Sequence, residues 1–165
     1  MATKPRWEIV AGDLTDPRII HLLQAHVAAA TADMPRESCH ALDVVGLHQP
    51  DVRLWALWAG AELLGVGALK TLGDGHGEVK SMHTAAAARG QGVGAAMMRH
   101  IIATARAEGF RRLSLETGGI AYFAAARRLY AAHGFVACGP FAGYMPDPNS
   151  VFMTHDLAAD PATST

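Results

Sequence analysis

Three glycines alternate with other residues in Arg89-Gly90-Gln91-Gly92-Val93-Gly94, between a strand-like run and an amphipathic helical run. Glycine lets the backbone turn tightly and leaves its N–H groups unshielded by a side chain. At the start of a helix these N–H groups and the helix dipole both attract an anion. The segment therefore predicts a binding turn for a diphosphate and leaves open which ligand carries that diphosphate.

Two nucleotide-binding motifs fit the glycine loop, residues 89–94, poorly. A dinucleotide-binding turn expects Gly-x-Gly-x-x-Gly in an early strand–helix unit, with an acid about 20 residues further on. Here the loop lies past the middle of the chain and follows a predicted hairpin. A Walker phosphate loop needs Gly-Lys-Ser/Thr, which the loop lacks.

The elements on either side of the loop must position it. Residues Glu78–Thr84 are expected to form a strand, and a helix is expected from about Gly92 to Glu108. Gly109 follows as the residue that ends this helix. The apolar stripe of the helix comprises Met97, Met98, Ile101, Ile102 and Ala105.

The remaining periodic runs predict one domain over residues 1–157, followed by a flexible tail at 158–165. Expected helices cover about Asp16–Ala30, with the Thr15 hydroxyl as cap, a short stretch near Ser38–Leu47, and Ala121–His133. Expected strands are Trp7–Ala11, Val52–Trp58, Leu63–Leu72, Arg112–Glu116, Phe135–Cys138 and Ser150–Leu157, with turns at 73–77 and 117–119. This order indicates an α/β (α+β) fold with a mixed sheet.

Composition limits the possible partners and the compartment. The chain has 165 residues and a formal net charge of −1, so it offers no broad basic field for nucleic acid or an anionic membrane. Its nine histidines are scattered without metal-ligand spacing, and we expect no metal site. No apolar run reaches membrane-spanning length, and Cys39 and Cys138 are expected to be reduced thiols in a cytoplasmic protein.

Two motifs together resemble the GNAT superfamily of acyl-CoA-dependent N-acyltransferases. The first is the glycine loop, which matches that family's Arg/Gln-x-x-Gly-x-Gly/Ala signature after a strand. The second is Leu129-Tyr130-Ala131-Ala132-His133-Gly134-Phe135, at the end of a later helix. Further stretches are similar to a bacterial branch whose members often carry an indole-acetate acetyltransferase label. Thr117 stands where many members have asparagine at the end of the strand before the last long helix.

The resemblance implies a mostly antiparallel sheet with a splayed central strand, helices on both faces, and acetyl-CoA as cosubstrate. Main-chain groups of Met82, His83 and Thr84 would bind the pantetheine arm. The implied pyrophosphate contacts are Arg89, Gly90, Gln91, Gly92, Val93, Gly94 and Ala95. Phe123 and Ala126 would line the cofactor, although core packing explains an aromatic side chain at 123 equally well.

The implied chemistry is direct attack of a primary amine on the thioester within a ternary complex. Tyr130 would serve as the general acid, and its phenol is suited to protonating the departing thiolate. A base acting through water is expected among Glu78, Glu116 and His83. Strand alternation places Glu78 on the face of Lys80 and Met82, with Ser81 and His83 opposite, unless a bulge changes this parity.

The acceptor pocket is expected between residues 31–50 and the loop 139–149, where Arg36, Ser38, His40 and Tyr144 are polar candidates. Arg36 could pair with a substrate carboxylate. The acceptor itself stays open between a small-molecule amine and a peptide amine, and a homodimer through the late strands also stays open. Two other functions remain: a catalytically silent acyl-CoA-binding sensor and a nucleotide-binding domain.

Overall fold

Seven β-strands and four α-helices follow one another along the described part of the chain. The computed structural model describes residue 3 and residues 5–32, 44–119 and 121–158. The strands are β1 (Trp7–Ala11), β2 (Val52–Ala59), β3 (Glu62–Gly73), β4 (His76–Thr84), β5 (Arg112–Gly118), β6 (Val136–Cys138) and β7 (Ser150–Asp156). The helices are α1 (Pro17–Thr31), α2 (Val44–Leu47), α3 (Val93–Ala107) and α4 (Ala124–Ala132).

The strands form one sheet in the order β1-β2-β3-β4-β5-β7-β6. Neighbouring strands run antiparallel except for β4 and β5, which are parallel. Although both are long strands, β4 and β5 pair only from His76↔Arg112 to Glu78↔Ser114. The strands then separate, and the expected splayed central strand is β4.

Apolar side chains form one buried cluster on each face of the sheet. The α3 and α4 side includes Leu57, Leu69, Val79, Met97, Met98, Ile101, Ile102, Ala105, Leu113, Leu115, Tyr130 and Phe135. The α1 and α2 side includes Ile19, Leu22, Leu23, Leu47, Val52, Leu54, Ala56, Val66 and Ala68. The predicted stripe of α3 is buried in full, and the expected helices on both faces are confirmed.

A β-bulge in β4 changes which face its later side chains reach. His83 pairs with Val66 and Lys80 with Ala68, so Ser81 and Met82 together lie opposite one residue of β3. Ser81 adopts φ 54°, and its buried hydroxyl has no hydrogen-bond partner among the residues described.

Because of the bulge, side chains of β4 beyond Lys80 do not follow the simple alternation between the two faces of the sheet. Met82 packs against the α3 cluster, whereas the His83 ring lies 4.9 Å from that of His26 on α1. Val79 belongs to the α3 side, so Glu78 and Lys80 face the α1 side together with His83. The expected alternation, with Met82 on the face of Glu78 and His83 opposite, therefore does not hold beyond the bulge, the exception that the prediction allowed for.

Several predicted boundaries also move by a few residues. The N-cap of α1 is Asp16 rather than Thr15, since the Asp16 carboxylate accepts the Arg18 N–H at 2.9 Å. Strands β3 and β4 extend into the predicted 73–77 turn, and β5 continues to Gly118. A single 3-10 turn at Ala121–Phe123 precedes α4, and the part of the expected 38–47 helix before residue 44 lies outside the described residues.

The end of α4 is fixed by backbone hydrogen bonds that also hold Tyr130. The Phe135 N–H donates to the Tyr130 carbonyl at 3.1 Å, and Gly134 N–H donates to the Ala131 carbonyl at 3.3 Å. Gly134 has φ 96°, which completes a Schellman motif. Because Phe135 is buried against the Tyr130 ring, this helix end sets the position of the phenol.

Candidate functional site

The glycine loop leads into α3 and leaves its first N–H groups open. Gly92 is the N-cap with φ 87°, and no side chain of the described residues caps the helix. The first helical hydrogen bond runs from the Ala96 N–H to the Gly92 carbonyl, so the N–H groups of Val93, Gly94 and Ala95 have no intrahelical acceptor. An anion placed here would meet several N–H donors and the positive end of the helix dipole.

The three glycines of the loop serve different structural needs. Gly90 and Gly92 have φ values of 78° and 87°, and a side chain at either position would have open space around its Cβ. Gly94 lies against α4, because a Cβ there would come within 3.0 Å of the Leu129 side chain. The loop thus combines two left-handed turns with close packing between the two helices of one face. Arg89 and Gln91 beside them are exposed.

Next to the loop, β4 presents main-chain groups that no strand of the described chain pairs. Beyond Glu78 the strand has no partner on its β5 side, while its pairing with β3 continues to Thr84. Met82, His83 and Thr84 lie on this unpaired stretch, directly before the turn that leads to the glycine loop. An extended ligand could therefore hydrogen-bond to β4 where β5 is absent.

Phe123 is the N-cap residue of α4, and Ala126 lies in the first turn of that helix. The Phe123 ring packs so tightly over Gly118 that a Cβ at this glycine would overlap it. Ala126 is half-buried and packs against the α3-side cluster. Phe123 therefore packs at the end of β5, and Ala126 packs against the α3-side cluster.

Tyr130 and Glu116 lie close enough together for the Glu116 charge to act on the Tyr130 phenol. Tyr130 is 7% exposed, and burial, with a further contribution from the Glu116 charge, raises the pKa of its phenol above the ordinary value. Burial also raises the pKa of the Glu116 carboxyl from 4.5 to about 7. A neutral phenol and a carboxyl that titrates near neutral pH form a suitable acid and base pair.

Glu78 has a different environment, although it faces the same side of the sheet. Its Oε2 accepts the Tyr144 hydroxyl at 2.6 Å and the Lys80 ammonium at 2.9 Å. The Lys80 and Glu78 side chains are 9% and 4% exposed, so this is a buried ion pair. Burial, followed by the Glu78 charge, raises the pKa of Tyr144 above its ordinary value. Glu78 is therefore committed to two partners.

His83 is a weaker candidate base than Glu116. Burial lowers the pKa of His83 to about 4, and the positive charge of Arg89 adds to this effect. Burial likewise lowers the pKa of His26, its ring neighbour, to about 4. Both imidazoles are neutral at physiological pH, and their basicity lies well below the range that suits a base at pH 7.

A hydrogen-bonded chain that sequence reasoning missed lies beside Glu78. His76 Nε2 is 2.7 Å from the Ser114 hydroxyl, which is 2.9 Å from the Thr154 hydroxyl, and Thr154 donates to the Leu113 carbonyl. Because Thr154 donates onward, Ser114 donates to Thr154 and accepts from His76. His76 therefore carries its proton on Nε2. Polar residues alternating within β4 and β5 were the available signal.

A groove of about 710 Å³ opens on this face between the sheet and the loop before β7. It is lined by Lys70, Leu72, Glu78, Lys80, Ala142, Gly143, Tyr144, Met145, Pro146, Asp147, Pro148 and Asn149. Tyr144, a predicted acceptor-site residue, thus lies in a groove formed partly by the expected loop 139–149. Arg36, Ser38 and His40 lie outside the described residues. Lys70 and Lys80 were not predicted, because a lysine in a strand resembles any solvated residue.

The described residues contain neither a cluster of metal ligands nor a membrane-spanning helix. Nowhere in residues 5–32, 44–119 and 121–158 do three or more His, Cys, Asp or Glu side chains come together as a set of metal ligands. In the same part of the chain, no helix combines the length and apolar character needed to cross a bilayer.

Comparisons with known proteins agree with this geometry. Residues 19–135 match the family model described as the acetyltransferase (GNAT) family. The chain is 48% identical over 145 residues to the uncharacterised N-acetyltransferase YsnE of Bacillus subtilis, and the match covers 88% of this chain and 96% of that protein.

Solved structures share the fold. A Klebsiella pneumoniae protein described as an acyl-CoA N-acyltransferase superposes with a TM-score of 0.71 at 29% identity, over 92% of this chain and 97% of that one. A GNAT-family acetyltransferase of Elizabethkingia anophelis, crystallised with acetyl-CoA, superposes with a TM-score of 0.67 at 15% identity. That alignment covers 91% of this chain and 97% of the other.

Proposed function

Because the chain belongs to the acetyltransferase (GNAT) family, we propose that it transfers the acetyl group of acetyl-CoA to a primary amine. The acceptor is a small molecule or a peptide, and attack occurs directly within a ternary complex. The observation that carries this proposal is the opening between β4 and β5, which leads to the uncapped N-terminus of α3. A thioester held in this opening would lie near both Tyr130 and Glu116.

In the proposed cofactor site, the glycine loop binds the pyrophosphate through main-chain N–H groups. Arg89 adds positive charge, and the unpaired edge of β4 at residues 82–84 binds the pantetheine arm. Phe123 and Ala126 line the other side of the opening. The Elizabethkingia anophelis structure with acetyl-CoA supports this ligand, since it shares the fold.

In the proposed reaction, the amine nitrogen attacks the carbonyl carbon of the thioester and forms the new C–N bond. The C–S bond then breaks, and the coenzyme A sulfur leaves with its electron pair. Glu116 takes the amine proton through a water, and Tyr130 donates a hydrogen bond or its proton to the departing sulfur. We favour Glu116 over Glu78 because the Glu78 carboxylate is occupied by Lys80 and Tyr144.

An exposed cysteine indicates the cellular location of the protein, and an exposed strand indicates its oligomeric state. We propose a cytoplasmic location, because Cys138 is an exposed free thiol and such thiols persist in a reducing compartment.

We also propose that the protein forms a homodimer, and sedimentation velocity would test it. The exposed β6, in which Val136 is 61% exposed, is the sheet edge where a second copy would pair.

The proposal is tested by release of free coenzyme A from acetyl-CoA in the presence of amine panels, together with thermal shifts. Acetyl-CoA at about 100 times its Kd should stabilise the fold by about 2.7 kcal/mol. NAD and ATP should not stabilise it. Stabilisation by NAD or ATP but not by acetyl-CoA would favour a nucleotide-binding domain instead.

The Tyr130→Phe variant separates an enzyme from a silent sensor. We expect this variant to bind acetyl-CoA normally and to lose about 10²- to 10⁴-fold in kcat. If the wild type binds acetyl-CoA yet releases no coenzyme A with any amine, the protein is an acyl-CoA sensor.

A further inference from the structure

The charges of the groove point to the kind of amine that it accepts, an inference that rests on the proposed function. Four charged side chains line it: Lys70, Glu78, Lys80 and Asp147. Glu78 and Lys80 neutralise each other in a buried ion pair at 2.9 Å. Asp147 accepts the Asn149 N–H at 2.8 Å in its own loop. Lys70 is the lysine of the groove that forms no ion pair with a described residue.

Lys70 is half-buried and has no ionic partner among the described residues. It lies directly opposite Glu78 in the β3–β4 pairing, but the carboxylate of Glu78 is taken by Lys80 and Tyr144. The salt bridges found in the described part of the chain all join other residues. A partly desolvated ammonium without a counterion attracts an anion from outside the chain, and a charge-assisted hydrogen bond would hold it.

Lys70 and the proposed base share one face of the sheet at a distance that suits a small bifunctional molecule. Glu116 lies two strands across from Lys70 and two residues beyond Ser114, the partner of Glu78. Regular strand spacing and residue rise would place the two Cα atoms roughly 12 Å apart, and the separation of β5 from β4 beyond Ser114 makes this a lower bound. Lys70 lines the groove, and Glu116 lies close enough to two other lining residues, Lys80 and Asp147, for their charges to act on its carboxyl.

We propose that the acceptor is a small amine that also carries a carboxylate, with Lys70 binding the carboxylate while the amine faces Glu116. The Lys80–Glu78 pair and Tyr144 form the floor between these two ends. Lys70 is then a specificity-determining residue, and it takes no part in proton transfer.

Matched pairs of acceptors test this assignment at about pH 8, with rates compared per unprotonated amine because an α-amino group is less basic than an alkylamine. Each pair comprises an amino acid and the amine left when its carboxyl group is removed: phenylalanine with 2-phenylethylamine, leucine with 3-methylbutylamine, and 4-aminobutanoate with 1-aminopropane. We expect at least one amino acid to exceed its partner in kcat/KM by about ten- to a hundredfold.

Two variants of Lys70 and one control assign that preference. Lys70→Met should abolish it by raising KM for the amino acid, with the KM for acetyl-CoA and turnover of the decarboxylated amine unchanged. Lys70→Arg, which keeps the charge, should retain most of the preference. Arg6→Met removes an exposed positive charge just before the edge strand β1 and should behave as the wild type.

Equal turnover of both members of every pair by the wild type would overturn the inference and leave the proposed function standing. Equal loss of turnover for both members in Lys70→Met would also overturn it, because that pattern indicates a structural role. Release of no coenzyme A with any acceptor would refute the proposed function, and the inference with it.

Discussion

At the scale of single residues, two glutamates on neighbouring strands face the same side of the sheet and differ in chemistry because their surroundings differ. Glu78 accepts hydrogen bonds from Lys80 and Tyr144 and is held in an ion pair. Glu116 is partly buried, and burial raises its pKa to about 7. Residue type alone would treat the two as equivalent bases, whereas their surroundings favour Glu116.

The raised pKa of Glu116 predicts a pH dependence of turnover. A base must be unprotonated, so kcat/KM should rise with pH through a midpoint near 7. Glu116→Gln should lose this limb and reduce kcat by about 10²- to 10⁴-fold. The control Glu62→Gln, at the exposed first residue of β3, should keep both the limb and the rate. A wild-type profile without a limb between pH 6 and 8, roughly one unit either side of this pKa, would argue against Glu116 as the base.

The same variant makes a stability prediction of known sign. A carboxyl whose pKa is raised on folding binds more protons in the folded state, so its contribution to the free energy of unfolding falls as pH rises from about 4.5 to about 7. Glu116→Gln should therefore be more stable than the wild type at pH 8, by on the order of 1 kcal/mol, and should lose this advantage near pH 5. Urea unfolding at both pH values measures the difference.

At the scale of elements, the site depends on one bulge and one helix start. The bulge at Ser81 turns His83 towards α1 and Met82 towards α3. The left-handed Gly92 begins α3 without a side-chain cap from the described residues and leaves its N–H groups open. Both features are local backbone geometry. The bulge sets the direction of side chains in β4, and the helix start sets the direction of main-chain N–H groups.

Gly92→Ala tests the helix start. Alanine in the left-handed region is strained by roughly 1–2 kcal/mol, so the loop should shift and the Kd for acetyl-CoA should rise about 5- to 30-fold. The control Gly139→Ala has open space for a Cβ and no positive φ, and it should bind as the wild type does. Isothermal titration calorimetry measures both, and equal Kd values for the two variants would exclude the loop from the binding site.

At the scale of the whole molecule, a single sheet separates two apolar clusters and opens between β4 and β5. The α3-side cluster holds Tyr130, and the opposite face holds Glu78 and the groove. The opening is thus the place where Tyr130, the proposed acid on one side of the sheet, could reach an acceptor bound on the other side. This arrangement explains why cofactor and acceptor would approach from opposite faces.

Hydrogen exchange with and without acetyl-CoA tests this arrangement along the chain. Amides of the later half of β4 and of the first turn of α3 should exchange more slowly with ligand, since they gain hydrogen-bond partners. Amides of β1, β6 and the outer part of β2 should not change. Protection centred on those outer strands would place the cofactor elsewhere.

Local sequence features were sufficient for most elements. Hydrophobic periods of 2 and 3.6 gave the strands and the stripe of α3, and glycines with positive φ marked the ends of α3 and α4 at Gly109 and Gly134. Competing local caps were harder to rank, as Asp16 and Thr15 show, because both side chains can accept an N–H. Boundaries next to glycines moved because pairing with a neighbouring strand extended the elements.

The sequence by itself determined the glycine loop, the element order and the family, because these depend on residues close together in the chain. Only the tertiary structure decided which glutamate is held in an ion pair and which lysine of the described groove lacks one. Glu78 is bound by Tyr144, 66 residues away, and Lys70 is left over because Lys80 already holds Glu78. Side-chain pairing and burial across strands follow from the fold as a whole, and they set the pKa values and charges that chemistry needs.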